Sequence, residues 1–379
     1  MKRAWIFLLA LAVLLPPTAS LAEDPVLTET DALKGAVLME ADSGARLWGM
    51  EADRAGSVSG LGKLPAILTL SQSVDDGSVS EDAVLRTSER AAGTPGPTAF
   101  LSAGEQISAR ELMKAAVMIS AGDAILTLGE AAYGSESMFV ENINVTMKQL
   151  GLSVAVTDAL GTGLAISPGE LALLGAAAAN SPTFTKYCML YMDGVTHEDG
   201  RETELVNANR LIKSYPGCRG LLTGSSPADG YCGVFAAARG GATLIAVVTG
   251  AENAARRTAA GTALLDYGFA NFRFEKICGA GEPLIAAVPV RDGNVRTVDL
   301  VPREDVTVIL KSKQGKLTER AVPPAYLTAP LYADVTVMEA AYLDESGAVL
   351  ATVPLYPDRD VPAYGVKDIL LRIMGLFVA

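Results

Sequence analysis

The sequence predicts an α/β domain followed by a small all-β domain, and three observations support this. Alternating apolar residues over 35–50 indicate strands close to the start of the chain. Residues 60–185 carry helical spacing and capping signals, and strands return over 231–249. From about 281 onward, short alternating runs are separated by prolines, which is typical of an all-β domain. Strands from both ends of the first domain should therefore close one sheet around a helical insert.

Turn and cap residues place the individual elements. The hairpin over 35–50 turns at Asp42-Ser43-Gly44, and the later hairpin turns at Arg239-Gly240-Gly241. Ser108 with Glu111 and Ser167 with Glu170 have the spacing of capping boxes, so each pair should begin a helix. Further helices are predicted over 123–132, through 139–150 and over 252–267.

Residues 57–70 read Ser-Val-Ser-Gly-Leu-Gly-Lys-Leu-Pro-Ala-Ile-Leu-Thr-Leu and open an apolar run. Proline is tolerated at the start of a helix but not a full turn inside it. A helix is therefore expected to begin near Pro65, with Lys63 on the loop before it. Gly60 and Gly62 weaken any earlier start.

Composition limits the classes of partner. The 379 residues are enough for about two domains of ~150 residues each. The net charge of −12 argues against a nucleic-acid partner, because such proteins need basic surfaces.

The first 22 residues have the pattern of a signal peptide. Lys2 and Arg3 precede an apolar run over 5–15, and Ser20-Leu21-Ala22 is a small-residue cleavage site. Pro16 and Pro17 end the apolar run short of the ~20 residues that span a bilayer. The sequence therefore predicts an exported protein.

The C-terminal residues 367–379 are apolar with two basic side chains, and they are too short to span a membrane. Two interpretations stay open. The segment is either an amphipathic anchor lying in the membrane interface or a terminal helix docked on its own domain.

Cysteine and histidine content bears on the chemistry. The cysteines are either buried thiols, which is the favoured interpretation, or include one bridge; they are Cys188, Cys218, Cys232 and Cys278. The single histidine, His197, lies in a polar segment and is expected to be exposed. One histidine and no zinc-ribbon cysteine spacing argue against a His-based triad or a metal site, so no metal or cofactor is predicted.

Several motifs, in order along the chain, resemble one family. Ser120-Ala-Gly-Asp-Ala124 resembles a Ser-Ala-Asn-Asp-Ala motif, and residues 215–224, Tyr-Pro-Gly-Cys-Arg-Gly-Leu-Leu-Thr-Gly, resemble Tyr-Pro-Gly-Val-Asp-Gly-Leu-Lys-Thr-Gly. Residues 36–44, 139–144 and 207–209 add weaker matches. Together they resemble the serine D-alanyl-D-alanine carboxypeptidases, the low-molecular-mass penicillin-binding proteins.

The resemblance implies a domain plan for nearly the whole chain. The signal peptide covers 1–22, a β-lactamase-like carboxypeptidase domain 23–278, a small β domain 279–360, and an amphipathic membrane anchor 361–379. It also implies a protein of peptidoglycan metabolism at the outer face of the cytoplasmic membrane, whose family reaction removes the terminal D-alanine of stem peptides through an acyl-serine.

The family's functional positions are only partly kept. The nucleophilic serine falls on Gly60, the second-motif asparagine on Gly122 and the third-motif lysine on Leu222, whereas Lys63, Ser120, Thr223 and Gly224 match. Without a hydroxyl at 60 no acyl-enzyme can form there, and loss of one nucleophile costs serine hydrolases roughly a million-fold in rate. Loss of the lysine at 222 removes a cation for the substrate carboxylate.

Two functional hypotheses follow. In the first, the chain is a non-catalytic binding or scaffolding module for a peptidoglycan stem peptide or a protein partner of the wall machinery. In the second, it is a slow carboxypeptidase using Ser59 or Ser120 with Lys63. Ser59 lies four residues before Lys63, and side chains four apart on a helix can meet, whereas Ser120 would pair with Lys63 across the cleft. A looser third possibility keeps only the β domain or the C-terminal helix in use.

Overall fold

The computed structural model describes residues 33–312 and 315–365, without the side chain of Ser59. The predicted signal peptide 1–22 and most of the predicted anchor 361–379 lie outside the described residues. The described chain divides into two compact units, 33–270 and 271–365. Strand Phe272–Cys278, which the sequence analysis assigned to the first domain, pairs with Val306–Lys311 in the second unit.

The first unit contains strands and helices in mixed order. Its strands are β1 Gly35–Glu40, β2 Arg46–Met50, β3 Gly56–Ser57, β4 Val84–Arg86, β5 Gln106–Ser108, β6 Ala165–Ile166, β7 Met192–Thr196, β8 Glu202–Val206, β9 Cys218–Gly220, β10 Thr223–Ser226, β11 Gly230–Arg239 and β12 Ala242–Ala251. Its helices are α1 Leu64–Asp75, α2 Glu89–Ala92, α3 Ala109–Ile119, α4 Gly122–Tyr133, α5 Glu136–Gln149, α6 Pro168–Ala179, α7 Pro182–Cys188, α8 Leu211–Ser214 and α9 Ala254–Asn271. A 3-10 helix, Ser59–Lys63, runs directly into α1.

The main sheet has the order β10-β11-β12-β1-β2, and β9 also pairs with β11. All of these pairings are antiparallel, and β1 is buried along its whole length. Both predicted hairpins are confirmed. The second turns through Gly240 and Gly241, whose φ angles of 59° and 83° suit glycine. Strands from both ends of this unit thus enclose the helical insert, as predicted.

The two faces of the sheet are covered by α6 and α9. A Cβ on Gly175 of α6 would lie 2.7 Å from the Val234 side chain, so this helix packs closely on one face. A Cβ on Gly261 of α9 would lie 2.5 Å from the Phe235 ring. Because neighbouring residues of a strand point to opposite faces, Val234 and Phe235 place the two helices on opposite sides.

Most predicted helices are confirmed, with two corrections. The helix predicted to start at Pro65 begins at Leu64, but Lys63 is not on a loop: it ends the 3-10 helix and has helical φ and ψ of −79° and −12°. A 3-10 turn tolerates the glycines because only a single turn of backbone has to be fixed before α1. The capping box at Ser167 and Glu170 is complete.

The second predicted box, at Ser108, forms only in half. Its hydroxyl accepts from the Glu111 amide, but the Glu111 carboxylate instead lies 3.0 Å from the Lys114 ammonium and accepts from the Thr196 amide. Tertiary partners therefore compete successfully for this carboxylate.

The described part of the second unit contains strands and connecting loops but no helix of its own, which confirms the predicted all-β class. Its strands are β13 Phe272–Cys278, β14 Ile285–Arg291, β15 Thr297–Val301, β16 Val306–Lys311, β17 Thr318–Arg320, β18 Leu327–Thr328, β19 Met338–Leu343 and β20 Val349–Pro357. One sheet has the order β17-β19-β20-β15-β14-β18, and β13 pairs with β16. Alternate residues such as Val298, Leu300, Val353 and Leu355 form its core.

The cysteines and the histidine complete the comparison with the sequence. All four cysteines are free and buried, in agreement with the favoured interpretation. The expectation for His197 was wrong, because this residue is only 3% exposed. Its Nδ1 lies 2.6 Å from Glu105 and its Nε2 lies 2.8 Å from the Thr203 hydroxyl, so buried polar partners account for its burial. Within the described ranges no helix is long and apolar enough to cross a membrane.

Candidate functional site

The positions of the three predicted motifs come together in the first unit. The 3-10 helix packs on strand β10 where two glycines meet. A Cβ on Gly60 would lie 3.4 Å from the Gly224 Cα, and a Cβ on Gly224 would lie 2.9 Å from the Gly60 Cα. This contact joins the first-motif turn to the third-motif strand, backbone against backbone.

Lys63 connects the first motif to the second. Its side chain is buried, and its Nζ donates to the backbone carbonyl of Ser120 over 2.8 Å. The bond thus goes to the Ser120 carbonyl rather than to its hydroxyl. Burial lowers the pKa of Lys63, and the Asp123 carboxylate raises it in part.

Ser120 sits where α3 ends and is 7% exposed. Its φ of 55° and ψ of 43° are left-handed, so the chain reverses here before α4 begins at Gly122. This turn directs the Ser120 carbonyl to Lys63. The sequence did not predict this left-handed turn, because a serine carries no local signal for it.

The missing side chain of Gly122 does not leave an open space, because a loop residue packs against this position. A Cβ at this position would lie 2.5 Å from the Thr94 methyl group and 3.5 Å from the Lys63 Nζ. The Gly122 amide donates to the Pro97 carbonyl over 2.8 Å. The space that a second-motif side chain would need is therefore partly filled by Thr94.

Leu222 lies just before β10 and is 3% exposed, with its side chain in the hydrophobic core. Thr223 and Gly224, which follow it, are half-buried on the strand. An apolar side chain at 222 is thus accommodated by packing inward. The retained residues of the third motif, Thr223 and Gly224, supply the strand backbone and one hydroxyl group.

Two functional candidates were missed by the sequence analysis. Asp123 is 1% exposed, and its carboxylate accepts from the amides of Ala99 and Leu101 at 2.9–3.1 Å. An acidic residue in the first turn of α4 was visible in the sequence, but its loop partners were not.

Arg257 is the second functional candidate that the sequence analysis missed. It is 5% exposed, and its Nη1 reaches the Gly224 and Cys232 carbonyls only at 3.5 Å. Its Nε has no hydrogen-bond partner among the described residues. Burial lowers the pKa of Arg257, and nearby Arg210 lowers it further. A buried guanidinium with such poor partners is costly, which is typical of a group kept to meet an anion.

No group of three metal-ligating side chains occurs within 33–312 and 315–365. The candidate site consists of the contact between Gly60 and Gly224, Lys63 with its Ser120 carbonyl partner, the second-motif position that Thr94 partly fills, and the Arg257 guanidinium next to β10. The Ser59 side chain lies outside the described atoms.

Comparisons with known proteins identify the family to which both units of the chain are similar. A family model described as D-alanyl-D-alanine carboxypeptidase matches residues 21–253, and one for the C-terminal domain of penicillin-binding protein 5 matches 272–363. The chain is 29% identical over 348 residues to D-alanyl-D-alanine carboxypeptidase DacF of Bacillus subtilis, covering 90% of this chain and 89% of that protein. It is 26% identical over 360 residues to DacA of Haemophilus influenzae, with the same coverages of 90% and 89%.

Solved structures agree in fold. Penicillin-binding protein 5 from Haemophilus influenzae superposes with a TM-score of 0.77 at 24% identity, covering 87% of this chain and 98% of that chain. A peptidoglycan synthesis regulatory factor from Streptococcus pneumoniae superposes with a TM-score of 0.68 at 21% identity, with coverages of 87% and 99%. At these identities the likeness shows the penicillin-binding fold.

Proposed function

The chain belongs to the D-alanyl-D-alanine carboxypeptidase family, and from this membership we propose that it is an exported protein that binds peptidoglycan stem peptides without hydrolysing them. The family acts in cell-wall metabolism. The observation that carries the proposal is Gly60. The residue one turn before Lys63 offers no hydroxyl, and its Cα packs on Gly224.

Binding is supported by what the site keeps. Arg257 is a buried cation with weak partners beside Gly224, and the half-buried Thr223 hydroxyl lies next to Gly224 on the same strand. In our proposal these two residues take the terminal carboxylate of the stem peptide, because Leu222 supplies no cation and the Arg257 Nη1 lies 3.5 Å from the Gly224 carbonyl of β10. Charge-assisted hydrogen bonds of this kind are stronger than neutral ones.

A calorimetric titration with a synthetic stem pentapeptide tests this binding. We expect Arg257→Met to weaken affinity for the free carboxylate form about tenfold, and to leave affinity for the C-terminally amidated peptide unchanged. Arg256→Met is the matched control, since Arg256 is a half-exposed neighbour paired with Glu252. Absence of binding by the wild-type protein would overturn the proposed function.

The second candidate is a slow carboxypeptidase that uses Ser59 or Ser120 with Lys63. It is favoured by one observation, the buried Lys63 amine with its lowered pKa, which could accept a proton. D-alanine release from the same pentapeptide separates the two. We expect none above the rate of a Lys63→Ala variant, and sustained release that Lys63→Ala abolishes would establish the slow enzyme instead.

Attachment to the outer face of the cytoplasmic membrane is the further part of this proposal. It rests on the amphipathic sequence 367–379, which lies outside the described residues. Removal of 367–379 should shift the protein from the membrane to the soluble fraction. Equal partitioning of both forms would contradict the anchor.

A further inference from the structure

Phe100 combines an exposed side chain with a backbone conformation that is unusual for a bulky residue. Its side chain is 66% exposed, and its φ is 60°, in the left-handed region that bulky residues rarely adopt. Leu221 also has a positive φ, but its side chain is 1% exposed and its core packing explains the strain. The exposed ring of Phe100 has no comparable burial to offset its backbone conformation.

The backbone around Phe100 is fixed on both sides. The amides of Ala99 and Leu101 donate to the Asp123 carboxylate, and the Phe100 carbonyl accepts from Arg201 over 3.0 Å. The Ala99 and Leu101 side chains are 0% and 5% exposed. The ring is thus an exposed group on a rigid support rather than on a loose loop.

Asp123, which holds the backbone on both sides of Phe100, is next to a residue of the candidate site. Asp123 follows Gly122, whose amide bonds to Pro97, and Thr94 occupies the space next to Gly122. The segment that carries Phe100 therefore lies against the end of α4 that adjoins the Lys63 amine and its Ser120 partner.

We propose that Phe100 is a ligand-contacting residue that packs on an apolar part of the stem peptide bound in the candidate site. This inference rests on the proposed function. A rigid aromatic ring contributes a large apolar contact at low entropic cost, because few of its torsions need to be fixed on binding. The peptide rather than the glycan is assigned because the segment is bonded to the second-motif helix end.

The test compares affinity and stability in four variants, using the stem pentapeptide without sugars as the probe. Phe100→Ala and Phe100→Gly should both weaken binding about tenfold, whereas Phe100→Trp should keep it within about twofold. Phe100→Gly should also raise the midpoint of thermal unfolding, because glycine adopts the left-handed conformation freely. Val84→Ala, at another exposed apolar residue, is the control that should change neither.

A Phe100→Gly variant that unfolds at a higher temperature but binds the peptide more weakly is the result expected if Phe100 is a binding residue. If Phe100→Gly lowers the unfolding midpoint and leaves the affinity unchanged, the ring serves the fold and the inference is overturned. If Phe100→Ala weakens binding only of a disaccharide-bearing peptide, the ring contacts sugar and the peptide assignment is overturned. If the wild-type protein binds no stem peptide, the proposed function itself fails.

Discussion

At position 60 the backbone leaves room for a small side chain. A Cβ there would be 3.4 Å from the Gly224 Cα, which is ordinary van der Waals contact. We therefore expect Gly60→Ser to fold and to gain a covalent adduct of one penicillin per chain, formed slowly because Leu222 supplies no cation. Intact-protein mass and peptide mapping measure it. Gly60→Ala is the control, and an equal adduct on that variant would contradict the prediction.

Position 122 behaves in the opposite way. Thr94 would meet a Cβ at 2.5 Å, and threonine is too short and too buried to move aside. Gly122→Asn should therefore lower the free energy of unfolding by about 1–3 kcal/mol through overpacking. Chemical denaturation measures this loss. Adding Thr94→Ala should recover most of it, and a double variant no more stable than Gly122→Asn alone would show that the contact with Thr94 is not the cause.

Burial of Lys63 makes the stability of the protein depend on pH. Burial lowers its pKa from 10.5, so the folded chain releases this proton at lower pH than the unfolded chain does. Stability should therefore rise with pH between the folded pKa and about 10.5. Lys63→Met should increase the free energy of unfolding by about 1 kcal/mol at pH 7 and remove that alkaline rise.

The matched control for Lys63 is Lys114→Met. Lys114 is also largely buried but lies 3.0 Å from Glu111 and 3.2 Å from Asp193, so its removal should destabilise the protein. Denaturation curves from pH 7 to 10 distinguish the two. If Lys63→Met is as destabilising as Lys114→Met, the hydrogen bond from Lys63 to Ser120 outweighs the cost of burying the amine, and the prediction is wrong.

Among the elements, α6 depends on its N-terminal capping box. Ser167 and Glu170 exchange hydrogen bonds, and Glu170 also accepts from the Ser153 amide and hydroxyl. Burial alone would raise the pKa of Glu170, but the hydrogen bonds from Ser153 and Ser167 lower it below its usual value. Its contribution to stability is therefore present above about pH 4.5 and is lost as the pH falls through the folded pKa.

We expect Ser167→Ala to cost about 1 kcal/mol at pH 7 and to weaken the acid dependence. Ser108→Ala is the comparison, because Ser108 caps α3 without a return bond from Glu111. It should cost a similar amount at pH 7 and leave the acid dependence unchanged. Urea titrations at pH 3 to 7 measure both, and identical acid profiles for Ser167→Ala and the wild type would contradict the prediction.

For the molecule as a whole, the two units have separate cores and should unfold separately. Leu112 belongs to the core of the first unit and Leu300 to that of the second, and both are 0% exposed. We expect two calorimetric transitions. Leu112→Ala should lower only one and Leu300→Ala only the other, each by about 2–5 kcal/mol in free energy of unfolding. A single transition that both substitutions shift equally would show that the units unfold together.

Elements with strong local chemistry were predictable from the sequence. The hairpin over 35–50, the glycine turn at 240–241 and the Ser167 cap depend on residues close together in the chain, so their structure follows from local preference. The same holds for the class of each unit, because apolar periodicity fixes which face of an element is buried.

The tertiary structure decided what depends on residues far apart in sequence. The burial of His197 against Glu105, the filling of the Gly122 space by Thr94 and the hydrogen bond from Lys63 to the Ser120 carbonyl all involve partners brought together only by folding. Local sequence carries no record of such contacts. The sequence alone therefore determined which side chains are missing from the three motifs, whereas only the packed structure decided which gaps stay open and which are filled.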